Sequence, residues 1–149
     1  MNIRAFSEKD YPRVFEIYSN SKLDELRFEK KRFHLLPLEH DEKRFSALKE
    51  SDIYVYDDGE ILGYGAIFEA EIRTLFVCPS ARGKGIGKEI IEFLLSQITG
   101  RANLFVAKTN IPAKELYKTY GFKVSDEFLT EYNGEPVYAN EMVRITGKC

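Results

Sequence analysis

Apolar residues recur along this chain at two spacings, every three to four residues in some stretches and every second or continuously in others, with turn-forming residues at the boundaries. Asn2 to Phe6 reads as a short strand. After the polar turn Ser7 to Asp10, the residues Tyr11, Val14, Phe15 and Tyr18 fall on one helical face. This predicts a helix to about Asn20, with Asp10 as N-cap and Pro12 in the first turn, where its missing N–H costs nothing. From Ser21 to Ser51 apolar residues are scattered among charges. The spacing there predicts a helix near Lys22 to Phe33, a break at Pro37 and another helix near Asp41 to Lys49.

Ile53 to Tyr56 is rich in β-branched and aromatic residues and predicts a strand. Asp58-Gly59 is a hairpin signal, Ile61 to Phe68 the returning strand, and Glu69-Ala70 leaves room only for a tight connection into Glu71 to Val77. Ile86, Ile90, Ile91, Leu94, Leu95 and Ile98 have helical spacing, and Gly100 ends that helix. Ala102 to Ala107 reads as a buried strand. Asn110 caps a further helix with Pro112 in its first turn and Gly121 as its stop. Phe122 to Tyr132 and Pro136 to Ile145 are strands joined by the hairpin turn Asn133-Gly134. With the charge-rich segment counted as one helical unit, the order is β-α-α-β-β-β-α-β-α-β-β.

A length of 149 residues suits one domain spanning 1–149, large enough to bury roughly two thirds of its unfolded surface. The net charge of -2 gives no general attraction to nucleic acid or to an anionic membrane, so any basic site must be local. No apolar run approaches the length of a membrane span. Two cysteines, Cys78 and Cys149, cannot make a disulfide scaffold, and the charged N-terminus lacks a signal-peptide core. A cytoplasmic location follows as the expectation.

Chemistry concentrates between Leu75 and Lys88. An apolar strand ends at Pro79, and Gly83, Gly85 and Gly87 lead into the helix that starts near Ile86. Glycines let backbone approach a ligand, and the free N–H groups of a helix's first turn favour an anion. Arg82, Lys84 and Lys88 add positive charge, so the stretch reads as a phosphate or pyrophosphate site. A Walker loop would need glycine at position 82 and Ser or Thr at 89, where Arg82 and Glu89 stand. A dinucleotide fingerprint would need glycine at 88, where Lys88 stands, and an acid about 20 residues further on. A nucleotide-phosphate enzyme is therefore disfavoured.

The stretch resembles the acyl-CoA loop of the GNAT superfamily of N-acetyltransferases, with Arg82, Gly85 and Gly87 at its motif positions and Val77 and Pro79 at the end of the preceding strand. Asn110 to Phe122 resembles that family's second signature in Asn110, Ala113, Leu116-Tyr117 and Gly121-Phe122. The resemblance covers essentially the whole chain. It implies an α/β (α+β) GNAT fold, a mixed and mostly antiparallel seven-stranded sheet with helices on both faces.

It also implies acetyl-CoA as acyl donor, no metal, and a primary amine on a small molecule or protein as acceptor, by direct transfer in a ternary complex. Gly83, Lys84, Gly85, Ile86, Gly87 and Lys88, with Arg82, would hold the pyrophosphate. Phe76 and Val77 would pair with the pantetheine arm, Asn110 belongs to the same cofactor site, and a backbone N–H near Val77 would meet the oxyanion. Tyr117 matches the family's tyrosine near the thioester sulfur, a general acid towards the thiolate, although it also stands at core spacing with Ala113, Leu116 and Tyr120.

A protonated amine must lose a proton before it attacks. Glu69 and Glu71 share a strand face with Arg73 and are the candidate bases, the other reading being a solvated edge or an ion pair with Arg73. His34 and His40 are second candidates. Cys78 has no adjacent His or acid in sequence to make it a nucleophile. The segment from Ser21 to Ser51 is where an acceptor pocket would be shaped. Glu39, Asp41, Glu42, Asp126, Glu127 and Glu131 would attract a cationic amine if they rim that side. The alternative is an acyl-CoA sensor without catalysis. The last hairpin, through Val137, Tyr138 and Val143, offers an edge for a homodimer.

Overall fold

The computed structural model describes residues 2–145. Seven strands, β1 (Ile3–Ala5), β2 (Asp52–Asp57), β3 (Ile61–Phe68), β4 (Glu71–Val77), β5 (Ala102–Ala107), β6 (Lys123–Tyr132) and β7 (Glu135–Arg144), form one sheet in the order β1-β2-β3-β4-β5-β7-β6. Every neighbouring pair is antiparallel except β4 with β5. The helices are α1 (Tyr11–Ser21), α2 (Glu42–Lys49), α3 (Ile86–Ser96) and α4 (Ile111–Thr119). None of them is long and apolar enough to cross a membrane.

The short connections follow local chemistry. Asn133 and Gly134 both take left-handed backbone, with φ of 50° and 85°, the geometry a two-residue hairpin needs. Phe68 pairs with Glu71 across Glu69-Ala70, which forces Glu69 to φ 54°, a conformation uncommon outside glycine.

Strand alternation assigns the helices to opposite faces. Gly63 and Gly65 of β3 lie under α3, and a Cβ on Gly65 would stand 2.8 Å from Leu94 Cδ1 and 2.9 Å from Ile90 Cγ2. Bare backbone there lets α3 bury Ile86, Ile90, Ile91, Leu94 and Leu95 close against the sheet. Tyr64 points to the other face, where α1 lies; its ring and that of Tyr18 both meet Phe76, at 5.9 and 5.5 Å.

The charge-rich segment departs from the helix expected over Lys22 to Phe33. Only Lys22–Leu26 winds, as a 3₁₀ turn. Leu26 and Phe33 instead join Tyr132 and Val137 in a second apolar cluster, and the Tyr132 hydroxyl accepts from Leu36 N–H (2.8 Å) and donates to Leu36 C=O (3.2 Å). To make those contacts the chain must stretch towards the β6–β7 hairpin, and tertiary burial outweighs helix propensity. Asp10 precedes α1 but does not cap it; its carboxylate is taken by Arg4 and by Ser7 N–H. The hairpin does form a sheet edge, but through β6, since β7 lies between β5 and β6; of the residues read as its exposed face Tyr138 is exposed, Val143 is half-buried and Val137 is buried. Cys149 lies outside the described residues.

Candidate active site

The parallel contact between β4 and β5 extends only over Glu71–Asn103 and Ile72–Leu104. Just beyond it β4 bulges at Arg73, since Ala66 pairs with Thr74 and Ile67 with Ile72. The two strands then part, while β4 stays on β3 and β5 on β7 to their ends. The opening is a cleft of about 1230 Å³ between Thr74 to Val77 on one wall and Leu104 to Ala107 on the other. A strand edge without its neighbour offers backbone N–H and C=O groups to an extended ligand.

The glycine loop closes one end of this cleft. Gly83 and Gly85 have φ of 81° and 82°, which only glycine takes without strain, and Gly85 is the residue before α3. No side chain caps α3, so the N–H groups of its first turn are left for an anion. Arg82, Gly83, Gly85, Ile86, Gly87 and Lys88 line the cleft; Lys84 stands outside the lining. Lys84 and Lys88 have no ion-pair partner among the described residues. Arg82 has two partners: its Nη1 meets Asp24 Oδ2 at 2.6 Å and its Nε donates to Val77 C=O at 3.3 Å.

α4 delivers Asn110 and Tyr117 to the opposite wall. Asn110 caps with its backbone, its C=O accepting from Lys114 N–H at 3.1 Å, while its buried side chain makes no cap bond. Tyr117 rests edge-on against Phe122. Burial first, and then the charge of Glu25, push its phenol up to about 12, so the hydroxyl keeps its proton at neutral pH.

The candidate bases fare unequally. Glu71 lines the cleft, but its Oε1 is 3.3 Å from Arg73 Nε, and Arg73 also pairs with Glu50. Glu69 is exposed on the turn before β4, off the cleft, because the two-residue connection turns it away from the strand. His34 and His40 are exposed and do not line the cleft either. Of the acids expected on the acceptor side, only Glu131 lines the cleft. Cys78 is buried outside the lining. Its thiol is lowered by a hydrogen bond with Ser80 (3.3 Å) and more weakly by Arg13, a neighbour that sequence adjacency could not show.

Several lining residues carried no signal in the sequence. The turn Lys22–Leu26 places Lys22, Asp24 and Glu25 over the cleft, and Ser21 Oγ donates to Val77 C=O at 3.4 Å. Tyr18 and Tyr64 line it from α1 and β3, at 4% and 0% exposure, and neither hydroxyl has a hydrogen-bond partner among the described residues. Their helix and strand positions look like ordinary core. Only the parting of the strands makes these core residues part of the cleft lining.

Residues 49–124, just over half of the chain, match the family described as Acetyltransferase (GNAT) domain. The chain belongs to this family. It is 32% identical over 84 residues to the peptidyl-lysine N-acetyltransferase YjaB of Salmonella typhimurium, covering 56% of this chain and 57% of that one. The match thus spans little more than half of YjaB. The peptidyl-lysine N-acetyltransferase YiaC of Escherichia coli is 28% identical over 128 residues, covering 83% of this chain and 84% of its own. The fold is shared with yncA of Salmonella typhimurium, a putative acetyltransferase whose structure holds its cofactor acetyl-CoA, at a TM-score of 0.70 and 16% identity over 100% of this chain and 95% of that one.

Proposed function

We propose that this chain, acting as one domain, moves an acetyl group from acetyl-CoA to a primary amine by direct transfer with both substrates bound. The observation that carries the proposal is the parting of β4 from β5 with an uncapped, glycine-preceded helix at one end and a protonated tyrosine on the wall. Arg82, Lys84 and Lys88, with the N–H groups from Gly83 to Lys88, hold the pyrophosphate; Lys84 acts through charge from outside the lining. Phe76 and Val77 pair with the pantetheine arm, and a backbone N–H near Val77 receives the developing oxyanion. Asn110 shapes the wall beside them. Membership of the family and the acetyl-CoA bound by yncA support the donor; the two peptidyl-lysine N-acetyltransferases support an amine acceptor.

Tyr117 serves the leaving group. A phenol near 12 is some 3.5 units above an ordinary thiol, so full transfer of its proton to a thiolate costs about 5 kcal/mol. Its larger service is a hydrogen bond that steadies the thiolate sulfur as the carbon–sulfur bond breaks, the proton following as the amide forms. Direct transfer is supported by Cys78, which is buried and does not line the cleft. Calorimetry with acetyl-CoA and CoA, followed by thiol release over a panel of amines, tests the reading. Donor binding with amine-dependent thiol release is the expected result. Binding with no release on any amine would make the chain an acyl-CoA sensor.

A further inference from the structure

Among the residues lining the cleft, Glu25 is in an unusual position. It belongs to the 3₁₀ turn that Ser21 and Asp24 fasten to the donor side, through Val77 C=O and Arg82. It shares the lining with the buried, unpaired hydroxyls of Tyr18 and Tyr64 and with Tyr117. Burial chiefly raises all three phenols, and the Glu25 carboxylate adds a smaller push to each, which sets it within electrostatic reach of them. Among the described residues its one charged partner is Lys22 Nζ, at 2.7 Å, and that side chain is only 12% exposed. Lys22 also lies over the Tyr132 ring, 5.1 Å from its centre. A primary alkylammonium of this chain's own therefore occupies a carboxylate beside an aromatic face in the acceptor half of the cleft.

We propose that Glu25 is the catalytic carboxylate that docks the acceptor's ammonium group and takes its proton, and that Lys22 fills this place until an acceptor displaces it. The inference rests on the reading of the cleft as an acetyltransferase site. It prefers Glu25 to Glu71 because Arg73, which also pairs with Glu50, holds Glu71 from its own strand, whereas Glu25 pairs with a single lysine ammonium that an acceptor ammonium can replace like for like.

The proton balance closes. The acceptor R–NH₃⁺ gives one proton to the Glu25 carboxylate, and the freed nitrogen lone pair forms the bond to the thioester carbonyl carbon. As the carbon–sulfur bond breaks, the electron pair leaves on sulfur. The second N–H proton passes to that sulfur through the Tyr117 hydroxyl, which ends as it began. The products are the amide, CoA thiol and protonated Glu25, which returns its proton to water.

The test compares Glu25→Gln, Glu25→Asp and Lys22→Met with the wild-type chain, using acetyl-CoA and N-acetyl-lysine methylamide or a short lysine peptide. Glu25→Gln is expected to bind acetyl-CoA within about twofold of wild type and to lose on the order of 100-fold in kcat/KM at pH 7, the ordinary scale of a general base. The loss should shrink above pH 9, where free amine is supplied by solution. Glu25→Asp should recover part of the rate, and Lys22→Met should lower KM for the amine several-fold because the competing ammonium is gone. Wild-type turnover and an unchanged pH profile in Glu25→Gln, or an amine KM indifferent to Lys22→Met, would overturn the assignment while leaving the acetyltransferase reading intact. A wild-type chain that binds no acetyl-CoA overturns both.

Discussion

Arg82 Nη1 lies 2.6 Å from Asp24 Oδ2, so the residue expected to grip the donor's pyrophosphate is held by the segment that covers the acceptor side. Both side chains are more than two-fifths exposed, and a pair of that kind contributes at most about 1 kcal/mol. Asp24→Asn should therefore leave stability nearly unchanged and tighten acetyl-CoA binding by about twofold to fivefold, because Arg82 no longer has to leave a carboxylate. Arg82→Ala should weaken acetyl-CoA by roughly tenfold. Calorimetry at low and high salt checks both, and an Asp24→Asn chain with weaker donor binding would contradict the exchange.

Tyr117→Phe removes the hydroxyl and keeps the ring that packs on Phe122. The expected result is a kcat lowered by about 10- to 100-fold with the acetyl-CoA Kd unchanged, since a hydrogen bond to charge is worth roughly 1.5–3 kcal/mol. With its phenol near 12, Tyr117 stays protonated up to about pH 11. With Glu25 taking the amine's proton, the wild-type rate should vary little from pH 7 to 10 and show no fall from Tyr117, whereas Glu25→Gln should rise over that range as free amine forms. Full turnover in Tyr117→Phe across that range would remove Tyr117 from the chemistry.

Two glycines separate packing from ligand approach. A Cβ on Gly65 would collide with Leu94 and Ile90 and sit 3.3 Å from Thr74 C=O, so Gly65→Ala should lower unfolding free energy by about 1–3 kcal/mol in urea titration. At Gly87 a Cβ would meet only Val77 Cγ2 at an ordinary 3.6 Å, inside a helix where alanine is favoured by about 0.5–1 kcal/mol. Gly87→Ala should keep or raise stability and weaken acetyl-CoA binding. Undiminished binding would show that Gly87 leaves room for nothing.

Acid stability should report Asp10. The Arg4 guanidinium, bonded to it at 2.9 and 3.1 Å, holds its carboxyl below the ordinary range, with Ser7 N–H adding to the effect. A carboxyl lowered in the folded state stabilises above its unfolded value and loses that contribution as pH falls through the folded one. Stability should accordingly be flat above about pH 5 and decline below about pH 4, with a slope of up to about 1.4 kcal/mol per pH unit for one proton. Asp57, lowered by Gly59 N–H and then by Arg4, titrates in the same direction. Asp10→Asn should flatten the decline and cost stability at pH 7, as read from urea midpoints between pH 3 and 7.

What the chain carries locally, it declares in its sequence. Asn133-Gly134 and the tight Glu69-Ala70 link set their hairpins because left-handed backbone is decided by a residue and its neighbours. The spacing from Ile86 to Leu95 set α3, and three glycines with two motif stretches pointed to the donor loop. Long-range relations decided the rest. Lys22 to Phe33 has charges and apolar residues that suit a helix, and it stretches instead because Tyr132 and Val137, about a hundred residues away, bury Leu26 and Phe33. Glu71 is committed to Arg73 and Glu50, Arg82 to Asp24, and Glu25 to the company of three tyrosines from three other elements. Of those partners only Arg73 and Tyr18 are near in sequence. Helix spacing, turns and the donor loop are properties of short stretches and were legible. The parting of β4 from β5, and with it the acceptor half of the cleft, depends on which strand edges meet, and that is a property of the packed sheet.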